Sequence, residues 1–204
     1  MNSIIEDDIL IRSLYAPASA FQSLASRPPS SVSVYFKYSV WLLLLPPLFS
    51  YIGAGNFGWR LGANEPLRME PDALLLVSFG YFLVLNFGLI STALISQWMA
   101  STYGADTNLG RHIGLITIVG TPLALASCAH LFPDVFVNVL IMIPTMIWSM
   151  YLLYKGIPIA LETPPERGML MASSLVGWLL VAAVSLLGIS MILWTMGVGP
   201  LLGV

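Results

Sequence analysis

The sequence predicts an all-α integral membrane protein with five transmembrane helices and a short amphipathic segment at its N-terminus. Five stretches contain no Asp, Glu, Lys or Arg, and they cover 38–59, 73–105, 112–133, 135–154 and 168–204. Each is long enough to cross the hydrocarbon layer, because a helix needs about 20 residues at a rise of about 1.5 Å per residue. The composition agrees, since 57% of residues are hydrophobic and only 9% are charged, whereas a soluble domain has about 25% charged residues.

The membrane domain is predicted to cover 34–204, with spans at about 34–52, 73–99, 113–132, 135–154 and 169–197. Residues 1–33 precede it as a cytoplasmic segment. Within that segment, 4–27 are expected to form one or two short helices that lie on the membrane. Pro17 suits the first turn of the second helix, which would carry Phe21 and Leu24 on one face.

The distribution of basic residues predicts the orientation in the membrane. Six cations fall on one side of the predicted spans and two on the other: Arg12, Arg27, Lys37, Arg111, Lys155 and Arg167 against Arg60 and Arg68. Cytoplasmic loops carry an excess of Lys and Arg. The N-terminus is therefore predicted in the cytoplasm and the C-terminus outside, in a multi-pass arrangement.

Several classes of function are disfavoured by what the chain carries. The net charge is −2 and no basic stripe is present, so we expect no nucleic-acid partner. Asp106 and Asp134 lie at the edges of spans, and no carboxylate lies deep in one, although coupled transporters usually place an ionisable group at membrane depth. His112 and His130 bracket the third span, about 27 Å apart on a continuous helix, so we expect no metal site. Because no catalytic constellation is visible in the sequence, we expect no enzyme and no cofactor.

Residues 53–58 read Gly-Ala-Gly-Asn-Phe-Gly, which matches the dinucleotide fingerprint G-x-G-x-x-G. That fingerprint functions between a strand and a helix, whereas this copy follows a membrane span. We therefore expect a flexible turn here, ahead of an interfacial Trp59 and Arg60.

Four prolines fall inside predicted spans: Pro46, Pro47, Pro122 and Pro144. Each is expected to kink its helix and to free a carbonyl that a neighbouring group must satisfy. One interpretation is a set of broken helices around a path for a lipid or a small solute. The other is kinked but inert packing, which is favoured because no charge at membrane depth accompanies the prolines.

Small residues at four-residue spacing predict close helix contacts, because they let two backbones approach. Three such pairs occur: Gly110 and Gly114, Ala124 and Cys128, and Ser173 and Gly177.

The loop between the fourth and fifth spans has a distinct composition. A Lys-Gly-Ile-Pro sequence at 155–158 is expected to stop the fourth span. Thr163 is placed to cap the next helix, with Pro164 at its first position and Glu166 completing a capping box.

Two short motifs resemble the Yip-one domain family of Ypt/Rab-interacting-protein-like membrane proteins. Ser-Leu-Tyr-Ala-Pro at 13–17, followed by Phe21, is similar to the family's Leu-Tyr-Gly-Pro-type motif, with Ala16 in place of glycine. Tyr-Lys-Gly-Ile-Pro at 154–158 is similar to the sequence that ends the family's fourth span, and the Thr-Pro-Pro-Glu-Arg continuation resembles bacterial members.

The resemblance implies five spans and a cytoplasmic N-terminal segment. Eukaryotic members bind small GTPases in Golgi and endoplasmic-reticulum membranes, whereas a bacterial member is expected in the inner membrane. Besides the lipid bilayer, we expect a protein partner at the cytoplasmic face, and self-association stays open. The surface predicted to bind the partner comprises Leu14, Tyr15, Pro17, Phe21, Tyr154, Lys155, Gly156, Pro158 and Arg167. The chain would then be a membrane scaffold or partner-binding module, with lipid or small-solute movement through the proline-kinked spans as the alternative.

Overall fold

The computed structural model describes residues 9–60, 62 and 65–197. These residues form seven helices and no strand, so the predicted all-α class is confirmed. Two helices are short, α1 (Ile9–Tyr15) and α2 (Pro17–Ser26). Five are long and apolar enough to cross a membrane: α3 (Ser31–Phe57), α4 (Pro71–Tyr103), α5 (Leu109–Leu131), α6 (Val135–Ala160) and α7 (Pro165–Thr195). The first eight residues of the predicted N-terminal segment lie outside the described part.

Hydrogen bonds between connections define two ends of the helix bundle. At one end, which carries α1 and α2, the Asp106 amide donates to the Leu161 carbonyl at 2.8 Å, so the connections 104–108 and 161–164 meet. We call this the docking end. At the other, the Arg60 amide donates to the Pro133 carbonyl at 2.8 Å, and the Val135 amide donates to the Arg60 carbonyl at 3.1 Å. We call this the far end, and α3 to α7 run alternately between the two.

Helix α5 occupies the centre of the bundle. It packs against α1, α2, α3, α4 and α6. Within its most apolar stretch 61% of residues are buried, against 28% or less in the other four long helices. The outer faces of those four helices are therefore left for lipid, as expected for a chain with five spans.

Helix α7 is joined to the bundle through its first half. Its buried residues are Gly168, Met171, Ala172 and Leu175, whereas 183–196 are all exposed. The 31 residues of α7 span about 46 Å at about 1.5 Å per residue, which is longer than the hydrocarbon layer is thick.

Two predicted helix boundaries are wrong. The fourth span does not stop at Lys-Gly-Ile-Pro, because α6 continues through Pro158 to Ala160. The predicted capping box before α7 does not form. Instead the Thr163 hydroxyl donates to the Tyr103 carbonyl at 2.8 Å, and α7 is preceded by Pro164 with no side-chain cap. The Thr163 hydroxyl, which the local sequence predicts as a helix cap, is thus hydrogen-bonded to a carbonyl at the end of α4.

The predicted flexible turn at 53–58 is also wrong. Gly53 and Gly55 lie inside α3, and only Gly58, with φ of 71°, ends the helix. A Cβ on Gly53 would lie only 3.0 Å from the Leu131 Cα, so glycine there lets α3 touch the backbone at the end of α5. The motif therefore serves helix packing at the far end.

The four span prolines lie inside continuous helices. Pro46 and Pro47 are buried in α3 and Pro122 is buried in α5, whereas Pro144 is exposed on α6. Upstream of Pro46, residues Tyr35–Ser39 form a π turn within α3. Such turns widen a helix locally and frequently mark functional sites. The expectation that the prolines kink the helices stays a prediction.

Candidate functional site

The docking end contains a groove lined by three glycines that receives the N-terminal segment. A Cβ on Gly156 of α6 would lie 2.6 Å from the Phe21 ring, and one on Gly114 of α5 would lie 2.7 Å from Leu24. Gly110 lies directly against the Pro29 carbonyl. Any larger side chain at these positions would collide with the segment, so the glycines admit it at close contact. Residues Gly110, Gly114 and Gly156 are called the glycine groove below.

Helix α2 presents one apolar face to this groove. Pro17 occupies its first turn, as predicted, and Ala20, Phe21 and Leu24 follow at helical spacing. All three of those side chains are fully buried. We expected Phe21 and Leu24 to contact the membrane surface. They contact α5 and α6 instead, because the groove offers a tighter apolar surface than an interface partly in water.

Arg111 at the start of α5 links four parts of the docking end. Its guanidinium donates to the Ala25 carbonyl at 2.5 Å, forms an ion pair with Asp106 at 3.1 Å and contacts the Glu162 carboxylate. Arg111 is buried, with 7% of its surface exposed. The Ala25 carbonyl belongs to the last turn of α2, where a cation is favoured by the helix dipole. The side chain thereby fastens the end of α2 to both loops.

His112 makes a second connection beside Arg111. Its Nδ1 lies 2.8 Å from the Ser96 Oγ on α4, and its Nε2 lies 2.8 Å from the Asp106 carbonyl. The ring is fully buried and both nitrogens have partners. Since a satisfied buried histidine holds its neighbours in place, His112 fixes α4, the 104–108 connection and α5 relative to one another.

The structure divides the nine predicted partner-binding residues by accessibility. Tyr15 and Arg167 are exposed, and Leu14, Tyr154, Lys155 and Pro158 are half-buried. Pro17, Phe21 and Gly156 are buried. The Tyr154 hydroxyl lies 3.0 Å from the Ser173 Oγ, and Lys155 donates to the Tyr151 hydroxyl at 2.8 Å. Their partner-binding role stays a prediction.

The two motif-bearing segments touch each other directly, through Phe21 and Gly156. The orientation predicted from the basic residues puts both on the cytoplasmic side but gives no reason for contact between them. Buried residues of both motifs therefore maintain the docking of α2, and the exposed ones form the surface outside it.

Sequence reasoning missed two features of this end. Tyr15 is among the predicted partner-binding residues, but Ile11 is not. Ile11 is 65% exposed and Tyr15 is 72% exposed, and their spacing of four on α1, which is visible in the sequence, puts them on one face. Arg111 and Glu162 are 51 residues apart, and no local signal joins them.

Of the three predicted small-residue pairs, Gly110 and Gly114 mark a close contact, but with the N-terminal segment. Cys128 is exposed, and Gly177 faces open space.

This architecture, five long apolar helices with a short helix docked at one end, is that of a multi-pass α-helical membrane protein. The sequence model of the Yip1 domain, that is, the Yip-one domain family, matches residues 11–199. The chain belongs to the Yip1 domain family, and the resemblance drawn from its two motifs is confirmed.

Two curated relatives are bacterial. The chain is 27% identical over 173 residues to "Inner membrane protein YohC" of Escherichia coli strain K12, which covers 84% of this chain and 89% of that protein. The same figures hold for the protein of that name in Escherichia coli O6:H1 strain CFT073. No solved structure matches the chain.

Proposed function

We propose that this chain is an inner-membrane protein that binds a protein partner at its docking end, which faces the cytoplasm. The proposed role is that of a non-enzymatic scaffold or partner-binding module. Location in the inner membrane is supported by the relationship to YohC, whose name states that location. The cytoplasmic orientation is supported by the six basic residues assigned to that side in the sequence.

The observation that carries the proposal is the exposed pair Ile11 and Tyr15. Among the described residues, the large apolar side chains exposed outside the five span helices are Ile11, Tyr15, Phe132 and Met196. Only Ile11 and Tyr15 are at the docking end, and they lie one turn apart on α1. Exposed apolar and aromatic side chains outside the lipid layer are typical of a binding surface.

The surface around this pair is held rigid by the contacts beneath it. Helix α1 packs against α2 and α5, and α2 is fixed by the glycine groove and by Arg111. Rigid presentation reduces the entropy lost on binding. Arg167, exposed at the start of α7, adds a cation to the same end, and Lys155 adds one near the end of α6. The exposed carboxylates of Glu162 and Glu166 lie at this end as well, so the cations select no partner charge, and the exposed pair favours a partner with an apolar patch.

Affinity purification of the full-length protein from native membranes tests the proposal. The Tyr15→Ala, Arg167→Ala double variant is expected to lose specific partners that the wild-type protein retains. Phe132→Ala is the matched control, since Phe132 is 67% exposed outside the spans but lies at the far end. An unchanged set of partners in the double variant, at equal expression, would contradict the proposed surface.

A second candidate function is the movement of lipid or a small solute along the bundle. Two polar contacts made by residues of the π turn, one part-buried and one buried, favour it. The Tyr35 hydroxyl donates to the Asn86 Oδ1 at 2.6 Å, and the Ser39 and Thr117 hydroxyls lie 2.6 Å apart. Polar groups at membrane depth near buried prolines are typical of substrate paths.

Purified protein in vesicles with a fluorescent lipid in one leaflet tests this alternative. Scrambling that is lost when Pro46, Pro47, Pro122 and Pro144 are replaced by alanine, with insertion intact, would support it. Scrambling no faster than in protein-free vesicles would contradict it.

A further inference from the structure

A cavity of about 280 Å³ lies at the far end, away from the proposed partner surface. It is bounded by α3, α4, the connection after Gly58 and the end of α5. Its lining comprises Ser50, Trp59, Met69, Leu74, Val77, Ser78, Tyr81 and His130. Ser50 is seven residues from the end of α3, and Ser78 seven from the start of α4, so the cavity reaches about 10 Å into the spans. It is open on one side.

The polar groups in this lining lack partners within the described part of the protein. No hydrogen bond to a described residue is formed by the hydroxyls of Ser50, Ser78 and Tyr81 or by the Trp59 indole N–H. Several serines elsewhere on the long helices bond to their own helix, although the buried Ser149 hydroxyl of α6 also has no partner among the described residues. Ser173, Ser185 and Ser190 each donate to the carbonyl four residues earlier, at 2.8–3.0 Å. In an apolar setting that back-bond is the default, so two unbonded serines on one cavity call for another partner.

His130 supplies an acceptor, and the structure fixes which nitrogen it is. The Asn138 amide nitrogen donates to the Phe132 carbonyl at 2.9 Å and to the Asp134 carbonyl at 2.8 Å. The Asn138 Oδ1 must therefore accept, and it lies 2.5 Å from the His130 Nδ1. Nδ1 then carries the proton, and Nε2 of the neutral ring keeps a lone pair with no partner in the described residues.

The other lining residues indicate the charge and polarity of a ligand that the cavity could bind. Met69, Leu74 and Val77 are apolar, and no Asp, Glu, Lys or Arg lines the cavity. A charged ligand would lose its hydration there without gaining a counter-ion. The volume is at the lower limit of ligand pockets, which hold about 300–1,000 Å³. The cavity therefore suits a neutral body about one ring in size.

We propose that this cavity binds a neutral, largely apolar molecule through a hydroxyl group, which donates to the His130 Nε2 and accepts from Tyr81 or a serine. A small phenolic solute and the hydroxyl-bearing head of a membrane lipid share this chemistry. The site is independent of the proposed partner surface, which lies at the other end of the bundle.

Trp59 provides a direct assay, because bromine atoms in contact with an indole quench its fluorescence. Purified full-length protein in nanodiscs is titrated with 4-bromophenol as the solute probe and with 2-bromododecan-1-ol, whose bromine is next to the hydroxyl-bearing carbon, as the lipid-like probe. The Trp59 contribution is the difference from a Trp59→Phe variant measured in parallel. Saturable quenching of that component is expected with at least one probe, and the probe that saturates identifies the source of the hydroxyl. Quenching that rises linearly with both probes would mean partition into lipid only and would overturn the proposal.

Two matched probes and two variants test the recognition chemistry. At pH 7.5, anionic 4-bromobenzoate and hydroxyl-free 4-bromotoluene are expected to give no saturable quenching. Tyr81→Phe, which leaves the His130–Asn138 contact intact, is expected to weaken binding about three- to tenfold, the effect of one lost hydrogen bond. Ser190→Ala on the exposed half of α7 is expected to leave binding unchanged.

His130→Phe is expected to weaken binding by at least as much as Tyr81→Phe. Its thermal stability is measured alongside, because the change also removes the contact with Asn138. Equal affinity in wild-type, Tyr81→Phe and folded His130→Phe proteins would overturn the assignment of the two groups. Saturable binding of 4-bromobenzoate as tight as that of 4-bromophenol would overturn the inference that the ligand is neutral.

Discussion

Replacing Gly156 by alanine would place a methyl group between α6 and the docked N-terminal helix. The new Cβ would lie 2.6 and 2.7 Å from two atoms of the Phe21 ring and 2.8 Å from a methyl carbon of Leu115. Normal carbon contacts are about 3.5–4.0 Å, so the Phe21 ring and the Leu115 methyl group would each have to move away by about 1 Å. Both neighbours are fully buried and cannot turn away into solvent. Overpacking of this kind costs about 1–3 kcal/mol.

The matched control for this variant is Gly177→Ala. Gly177 lies on α7, where an added Cβ would have no atom within 4 Å, so alanine there gains helix propensity without a clash. The difference between the two variants isolates the contact with Phe21 and Leu115. We expect Gly156→Ala to unfold at a lower temperature than wild type in detergent, whereas Gly177→Ala unfolds at the same temperature or higher.

A double-mutant cycle with Phe21→Ala assigns the effect to the right partner. Phe21→Ala alone is expected to destabilise the protein through the cavity it leaves. The double variant should be less destabilised than the sum by about 1 kcal/mol or more, because the added methyl fills space that the ring vacates. Additive effects, or a Gly156→Ala protein as stable as Gly177→Ala, would refute the packing of α2 in the glycine groove.

Three further predictions concern the docking end and the topology. Arg111→Met is expected to lower the free energy of unfolding by about 2 kcal/mol, because it removes charge-assisted hydrogen bonds from a buried position. It should also make α2 accessible to protease. Glu162→Gln should lower the free energy of unfolding by less than about 1 kcal/mol, because Glu162 is 59% exposed. Equal protease sensitivity of Arg111→Met and wild type would contradict the role of Arg111 in fastening α2. Thr163→Ala is expected to lower stability by about 1 kcal/mol through loss of the bond to the Tyr103 carbonyl, and a thermal-unfolding midpoint equal to that of wild type would show that this bond contributes nothing. Reporters fused at Met1 and at Val204 are expected to be active in opposite compartments, and activity in the same compartment would exclude five spans.

The long helices could be predicted because their signal is local and redundant. An uncharged apolar stretch of 20 residues or more has few alternatives to a membrane helix, and the structure has five long apolar helices, as predicted. Pro17 likewise marked the start of α2, since its fixed φ suits a first helical turn. The ends were less accurate. Helix α6 continues past Pro158 because packing at the docking end outweighs the loss of one backbone bond.

The candidate site was harder to predict because its contacts join residues far apart in the sequence. The apolar face of α2 fits a membrane surface and a protein groove equally well by periodicity alone. The positions of Gly114 and Gly156, far later in the chain, decide between them. The Thr163 hydroxyl matched a capping pattern, yet the Tyr103 carbonyl, 60 residues away, accepts its bond. Ser50 and Ser78 belong to no recognisable motif. They line one cavity only because α3 and α4 pack together, and the sequence of neither helix predicts this.

The unequal attachment of α7 bears on how the protein is made. All of its buried residues fall within 168–175, and 183–196 face outward. Once synthesis has passed the first half of this helix, every interior contact it supplies to the bundle is available. The later part of α7 then only anchors the protein among the lipid acyl chains. Its sequence must be apolar and long enough, but it does not have to pack against a neighbouring helix. Exchange of that part for an unrelated apolar helix should leave the assembled bundle intact.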